Sequence, residues 1–239
     1  MLADLKKDLK KFASANKAKI YARFFKTQKG QYAQGDKFTG VSVPQTRRVA
    51  KKYLNLNFKN LAKLIASPIH EERLCALLIL TYQFENGDQS IKDKIFKFYL
   101  ANTKYINNWD LVDLSADKII GGYLENKPKD ILINLAKSKS LWEKRVAILA
   151  TFHFIKKGDP TWTLKIAKNL LADNHDLIHK AVGWMLREVG KRCDKKTLVN
   201  FLNKNTSQMP RTTLRYAIEH FSEKERQRYL NLKQDLLNT

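Results

Sequence analysis

The sequence predicts an all-α fold, an α-solenoid of HEAT-like helical repeats, and three observations predict it. Five apolar helical segments recur at a steady spacing, and five further apolar helical segments fall between them. Only 9 Gly and 5 Pro occur in 239 residues, which argues against a turn-rich β fold. Hydrophobic residues make up 44% of the chain, far too many for a disordered one. The length allows one domain with a sizeable core.

Residues 1–55 read as irregular N-terminal helices. A helix over about 2–14 continues at about 17–27, the stretch GQYAQGDKFTGVSVP follows, and a helix covers 45–53. The 29–44 stretch has the character of a functional loop, but its glycines lack the spacing that cradles a nucleotide phosphate. Residues 56–236 read as about five two-helix repeats. The first helices contain Arg73 in ERLCALLIL, Trp109 in NWDLVDLSA, Arg145 in KRVAILATF, Lys180 in HKAVGWMLR and Arg215 in LRYAIEHF, at spacings of 36, 36, 35 and 35 residues. The second helices are FKNLAKLIA, KIFKFYLA, DILINLAK, LKIAKNLLA and LVNFLNK. Breakers such as Ser67-Pro68, Lys127-Pro128, Asp159-Pro160 and Met209-Pro210 fit helix starts, where a missing N–H costs nothing. A period near 36 with two helices per unit is the signature of a solenoid whose stacked pairs curve into a concave groove. The whole chain, 1–239, is expected to form one such domain.

Charge narrows the class. Lys and Arg number 45 against 23 Asp and Glu, a net +22, so the expected groove is basic and its partner a polyanion, nucleic acid or an anionic surface. Cys75 and Cys193 are too few for a disulfide framework, and Cys75 sits in an apolar run as a core residue. The opening residues are charged throughout and no apolar run reaches transmembrane length. A cytoplasmic monomer without membrane contact is expected.

Chemistry-bearing residues concentrate in INNWDLVDLSADKII. On a continuous helix Trp109 and Asp113 share a face, Asp117 continues that row, and Asp110 points about 100° away. Spacing alone favours a structural reading, with Asp110 as an N-terminal helix charge and Asp113 in a salt bridge. In HKAVGWMLREVGKR, Trp184 and Arg187 share a face with Lys180 a turn earlier. Equivalent repeat positions line one side of a solenoid, so Trp109, Arg145, Lys180 and Arg215 should form a stripe suited to tracking phosphates. The alternative is that some of these basic residues merely pair with the preceding helix. His175 and His179 have the i, i+4 spacing of a zinc helix, but residue 176 is Asp rather than the general-base Glu and no third ligand is evident, so no metal and no cofactor are expected. His70, His153 and His220 show no pairing, and no Ser/Cys/His triad is recognisable.

The stretches GDKFTGVSVPQTRRVAKKY, SPIHEERLCALLIL, YINNWDLVDLSADKIIGGYL, SLWEKRVAILATFHFIKKGD, HDLIHKAVGWMLREVGK and MPRTTLRYAIEHF resemble the AlkD-like family of DNA alkylation repair enzymes, over roughly residues 20–230. The resemblance implies a HEAT-like solenoid that hydrolyses the N-glycosidic bond of cationic alkylated purines, chiefly N7-alkylguanine and N3-alkyladenine, in double-stranded DNA. By position, the family's catalytic carboxylate matches Asp113, its aromatic walls match Trp109 and Trp184, and its phosphate-contacting arginines match Arg145 and Arg187. Many relatives carry a second aromatic just before the Trp109 position, where this chain has Asn108.

The implied chemistry agrees with the residues present. A cationic purine leaves as a neutral base, so the general acid of an ordinary glycosidase is unnecessary. One carboxylate can stabilise an oxocarbenium-like sugar and position water. No lysine is assigned a lyase role, so a monofunctional DNA glycosylase is expected. Indole faces would add about 0.5–2 kcal/mol each toward a cation. Two rival readings are a non-catalytic nucleic-acid-binding repeat protein and a protein scaffold. The net charge disfavours the scaffold.

Overall fold

The structure, a computed structural model, describes residues 1–238, with side chains described through residue 233. Residue 239, the end of the expected domain, lies outside the described residues. Among the described residues the chain is helical and forms no strand, only one isolated bridge between Lys37 and Ile69. The expected all-α repeat architecture is borne out. The chain divides into two compact units, Met1–Ile119 and Ile120–Thr239. No helix among the described residues is long and apolar enough to cross a membrane.

The first unit contains α1 (Leu2–Lys10), α2 (Ala15–Phe24), α3 (Val43–Ala50), α4 (Phe58–Ile65), α5 (His70–Asn86), α6 (Gln89–Ala101) and α7 (Trp109–Asp113). Local signals set the boundaries. Ser42 and Gln45 form a capping box with Pro44 in the first turn of α3, so this helix starts two residues ahead of the expected 45. Side chains of Asn57 and Asp88 accept from the backbone of Asn60 and Ile91 and cap α4 and α6. The second N-terminal helix stops at Phe24 rather than near 27, because Lys26 takes a left-handed φ of 55° that a right-handed helix cannot contain. α5 is the axis of the unit. Residues 70–81 are all buried, and α3, α4, α6 and α7 pack on it. From Leu74 to Leu80 the helix is apolar on every face, as a segment covered on every side requires, and each Leu or Ile here contributes about 1.5–3 kcal/mol by burial; the buried charges of its first turn are paired.

The segment from 109 to 120 departs from the expected continuous helix. α7 ends at Asp113, a turn follows, and residues Asp117–Gly121 adopt a π-helical turn. Ser115 accounts for part of the break: its hydroxyl donates to Leu111 O at 2.6 Å and meets the Tyr99 hydroxyl at 3.0 Å, offering the backbone a local alternative to the α ladder. Asp117 therefore does not continue the Trp109–Asp113 row. It is buried, whereas Asp113 is half-buried.

The second unit contains α8 (Asp130–Ala136), α9 (Leu141–Ala150), α10 (Phe152–Lys156), α11 (Thr161–Leu170), α12 (Asp176–Arg192), α13 (Lys195–Asn205), α14 (Arg211–Ala217) and α15 (Glu223–Asn238). The expected first helices are α5, α7, α9, α12 and α14, and the second are α4, α6, α8, α11 and α13. These helices follow one another in the expected order, with the short α10 standing between α9 and α11. α12 is the axis of this unit, packed by α9, α10, α11, α13 and α14. α14 packs tightly against it at Gly183, where an added Cβ would lie 2.5 Å from Tyr216 Cβ and 2.6 Å from Thr213 O. Gly183→Ala must push α14 away, and overpacking of this kind costs about 1–3 kcal/mol. A lowered urea midpoint at unchanged m-value is the expected result of that substitution.

Candidate functional site

In the first unit the site residues stand on α7. Asn108 is fully buried and its Oδ1 accepts from Trp109 N at 2.8 Å, so this residue is the helix cap. Trp109, the first residue of α7, is half-buried. Its indole stacks on Phe25 at 5.1 Å and 20° and meets the edge of the exposed Phe24 at 5.9 Å. Asp113 lies one turn later, half-buried at the C-terminal end of the same helix. Burial, opposed by the Ser115 bond, raises the Tyr99 phenol, and the charges of Asp117 and Asp113 push it the same way. α7 therefore presents an aromatic face and a carboxylate one turn apart, the pairing that the sequence pointed to.

Behind α7 lies a buried cluster that sequence reasoning missed. The sequence shows no pairing for His70, and the structure gives it two carboxylate partners. Its Nε2 is 2.8 Å from Asp110 Oδ2 and its Nδ1 is 3.4 Å from Asp36 Oδ2. Asp36 also takes an ion pair from Arg73 at 2.7 Å and a bond from Asn107 at 3.4 Å. Burial alone would lower the His70 pKa, but the charge and hydrogen bond of Asp110, with Asp36, hold it above the ordinary histidine value. Burial would likewise raise the Asp36 carboxyl, yet the His70 bond and the Arg73 charge keep it below the usual carboxylate range. The partners stand 34 and 40 residues from His70 along the chain, so no local pattern could reveal them. Asp110 is thus more than an N-terminal helix charge.

In the second unit, Lys180, Arg187 and Arg215 line one cleft of about 560 Å³, together with Arg226, Asp176 and Glu219. The three sequence-derived cations are brought together, and Arg226 joins them. Lys180 pairs with Asp176 at 2.7 Å, and Arg187 pairs with Glu188 at 3.2 Å and with Glu219. Burial would lower the Arg187 pKa, but Glu219 and Glu188 raise it. Trp184, on the same helix, is half-buried and tilts against Phe152 at 6.1 Å. Arg145 is placed differently. It is 5% exposed and its Nη1 donates to Leu177 O at 2.6 Å, which anchors α9 to the first turn of α12. Arg73 behaves likewise, donating to Ser67 O at 2.9 Å.

His175 and His179 serve the backbone. His175 Nδ1 accepts from Leu177 N at 3.1 Å and caps α12, and His179 Nε2 lies 2.5 Å from Asp173 O. Among the described residues no group of three or more His, Cys, Asp or Glu is arranged to hold a metal ion. Cys75 is fully buried and burial pushes its thiol up to about 12, leaving it inert at neutral pH.

A family model described as DNA alkylation repair enzyme matches residues 5–221. Among solved structures, a protein described as a predicted DNA alkylation repair enzyme from Enterococcus faecalis aligns with a TM-score of 0.68. It is 15% identical, and the alignment covers 88% of this chain and 97% of that one. At that identity the likeness carries the fold alone. No curated protein matches the chain.

Proposed function

Because this chain belongs to the DNA alkylation repair enzyme family, with DNA as the substrate that membership implies, we propose that it is a monofunctional DNA glycosylase releasing cationic alkylated purines from duplex DNA. The observation that carries this reading is α7, where Trp109 and Asp113 stand one turn apart, neither of them fully buried.

The proposed mechanism follows from charge. Alkylation at N7 or N3 makes the purine a cationic leaving group, so the bond to the sugar breaks without protonation of the base. Positive charge then develops at the sugar C1′ and ring oxygen. The Asp113 carboxylate stabilises that charge and accepts a proton from the attacking water. The Trp109 indole attracts the cation through its quadrupole, and Trp184 is matched to an aromatic wall by the resemblance alone. Lys180, Arg187 and Arg215 hold backbone phosphates by charge-assisted bonds and give affinity with little sequence dependence. Arg145, matched to a phosphate ligand by resemblance, is the weakest member of that set, because its guanidinium is buried against Leu177 O.

Release of N7-methylguanine from methylated duplex DNA, with Asp113→Asn beside the wild type, tests the reading. Binding without release would leave a nucleic-acid-binding repeat protein.

A further inference from the structure

Asp113 and Trp109 can act only if α7 is held still, and α7 is short: five residues, broken at its C-terminal end. Its N-terminal turn is tied to the rest of the unit at Asp110. One carboxylate oxygen there accepts from Leu111 N at 2.8 Å and the other meets His70 Nε2 at 2.8 Å. On its other side His70 faces Asp36, in the segment that joins α2 to α3. The imidazole also ends a column of rings. It stacks on Phe38 at 4.5 Å, Phe38 on Phe25 at 5.0 Å, and Phe25 on Trp109 at 5.1 Å. His70 therefore touches the site residues by two routes, a hydrogen bond to the α7 turn and a stack ending on the indole.

The charges in the cluster require a proton on His70. Asp36 and Asp110 supply two negative charges, and Arg73 supplies one positive. All four side chains are nearly fully buried, His70 at 2% exposure. With His70 protonated the cluster is neutral and both ring nitrogens donate. With His70 neutral, one buried negative charge is left uncompensated and the imidazole can donate to only one of the two carboxylates, an arrangement that buried sites avoid. The facing groups allow no substitute. From α5 there is Glu71, whose carboxylate is already held by the N–H groups of Thr39, Gly40 and Val41. From α2 and its C-terminal cap come Tyr21, edge-on to Phe25 and Phe38, and Phe25, tilted against His70.

We propose that His70 is a positioning residue whose bridge between Asp36 and Asp110 fixes the first turn of α7, and with it Trp109 and Asp113. The bridge is complete when the imidazole is protonated and loses one of its two N–H bonds as pH rises through its titration. The link to excision rests on the glycosylase reading; the link to Trp109 does not.

The test uses the full chain carrying fluorotryptophan, with the Trp109 fluorine resonance assigned by its loss in Trp109→Phe. In the wild type that resonance should titrate with a midpoint above 6.5, while those of Trp142, Trp162 and Trp184 stay in place and report an intact fold. His70→Gln keeps an amide donor toward Asp110 but no titrating proton, and should abolish the transition. Asp110→Asn removes a carboxylate that holds the proton, and should move the midpoint down. In single-turnover excision the wild-type rate should fall through the same midpoint. His70→Gln should be pH-independent there and about ten-fold slower or more, with DNA affinity unchanged, as expected when a reacting group is misplaced rather than removed. A Trp109 resonance that ignores pH in the wild type, or an unshifted midpoint in both His70→Gln and Asp110→Asn, overturns the inference. Should the wild type release no base, the glycosylase reading fails, and the fluorine titration alone still decides for or against His70.

Discussion

Asp113→Asn is expected to lower the single-turnover excision rate of N7-methylguanine by about 10²-fold or more, the scale of removing one preorganised electrostatic group. Asn keeps the size of the side chain and loses its charge, so the change isolates electrostatics from packing. Duplex binding should persist or tighten slightly, because a negative charge near phosphates is gone. The residual rate should not be zero, since a cationic purine departs slowly unaided. Asp117→Asn and Asp110→Asn should cost less. Asp117 lies in the π turn, off the Trp109–Asp113 row, and Asp110 acts through His70 rather than on substrate. Quenched-flow release assays on a defined lesion duplex measure all three. Equal rates for wild type and Asp113→Asn would remove this carboxylate from the mechanism.

The second large effect is on binding. Each phosphate neutralised adds about 0.9 to the slope of log affinity against log salt. Lys180→Ala, Arg187→Ala and Arg215→Ala should each flatten that slope by about one. The triple variant should bind about a hundred-fold more weakly at physiological salt, by the same arithmetic. Arg145→Ala should change the slope less, because its guanidinium is 5% exposed and bound to Leu177 O. Glu219 supplies a further arm: it occupies Arg187 in the free protein and must yield it to a phosphate, so Glu219→Gln should tighten binding. Fluorescence anisotropy on undamaged duplex across a salt series reads each slope. Unchanged slopes in the three cleft variants would assign the cleft another partner.

What the sequence reveals and what it hides follow from the range of the forces involved. The helices are legible because apolar spacing along a segment of 5 to 17 residues is set by the face each one buries, and the 36-residue register carries that face from repeat to repeat. The same register made Lys180 and Arg215 visible as partners in one cleft. The break after Asp113 was hidden because it depends on where Ser115 sends its hydroxyl and on Tyr99 sixteen residues upstream. The His70 cluster was hidden for a related reason, as three segments distant in sequence supply its charges. The different fate of Arg145 was hidden too: the alternative readable in the sequence has a repeat-start cation pairing with the preceding helix, whereas Arg145 binds Leu177 O in α12, 32 residues further along the chain.

The glycosylase assignment is tested most directly by incubating the wild-type protein with duplex DNA carrying one N7-methylguanine and identifying the products by mass spectrometry. The predicted result is free N7-methylguanine and an intact strand with an abasic site, and no release of guanine from the same duplex unmethylated. Full binding with the methylated base still attached after prolonged incubation would contradict the account.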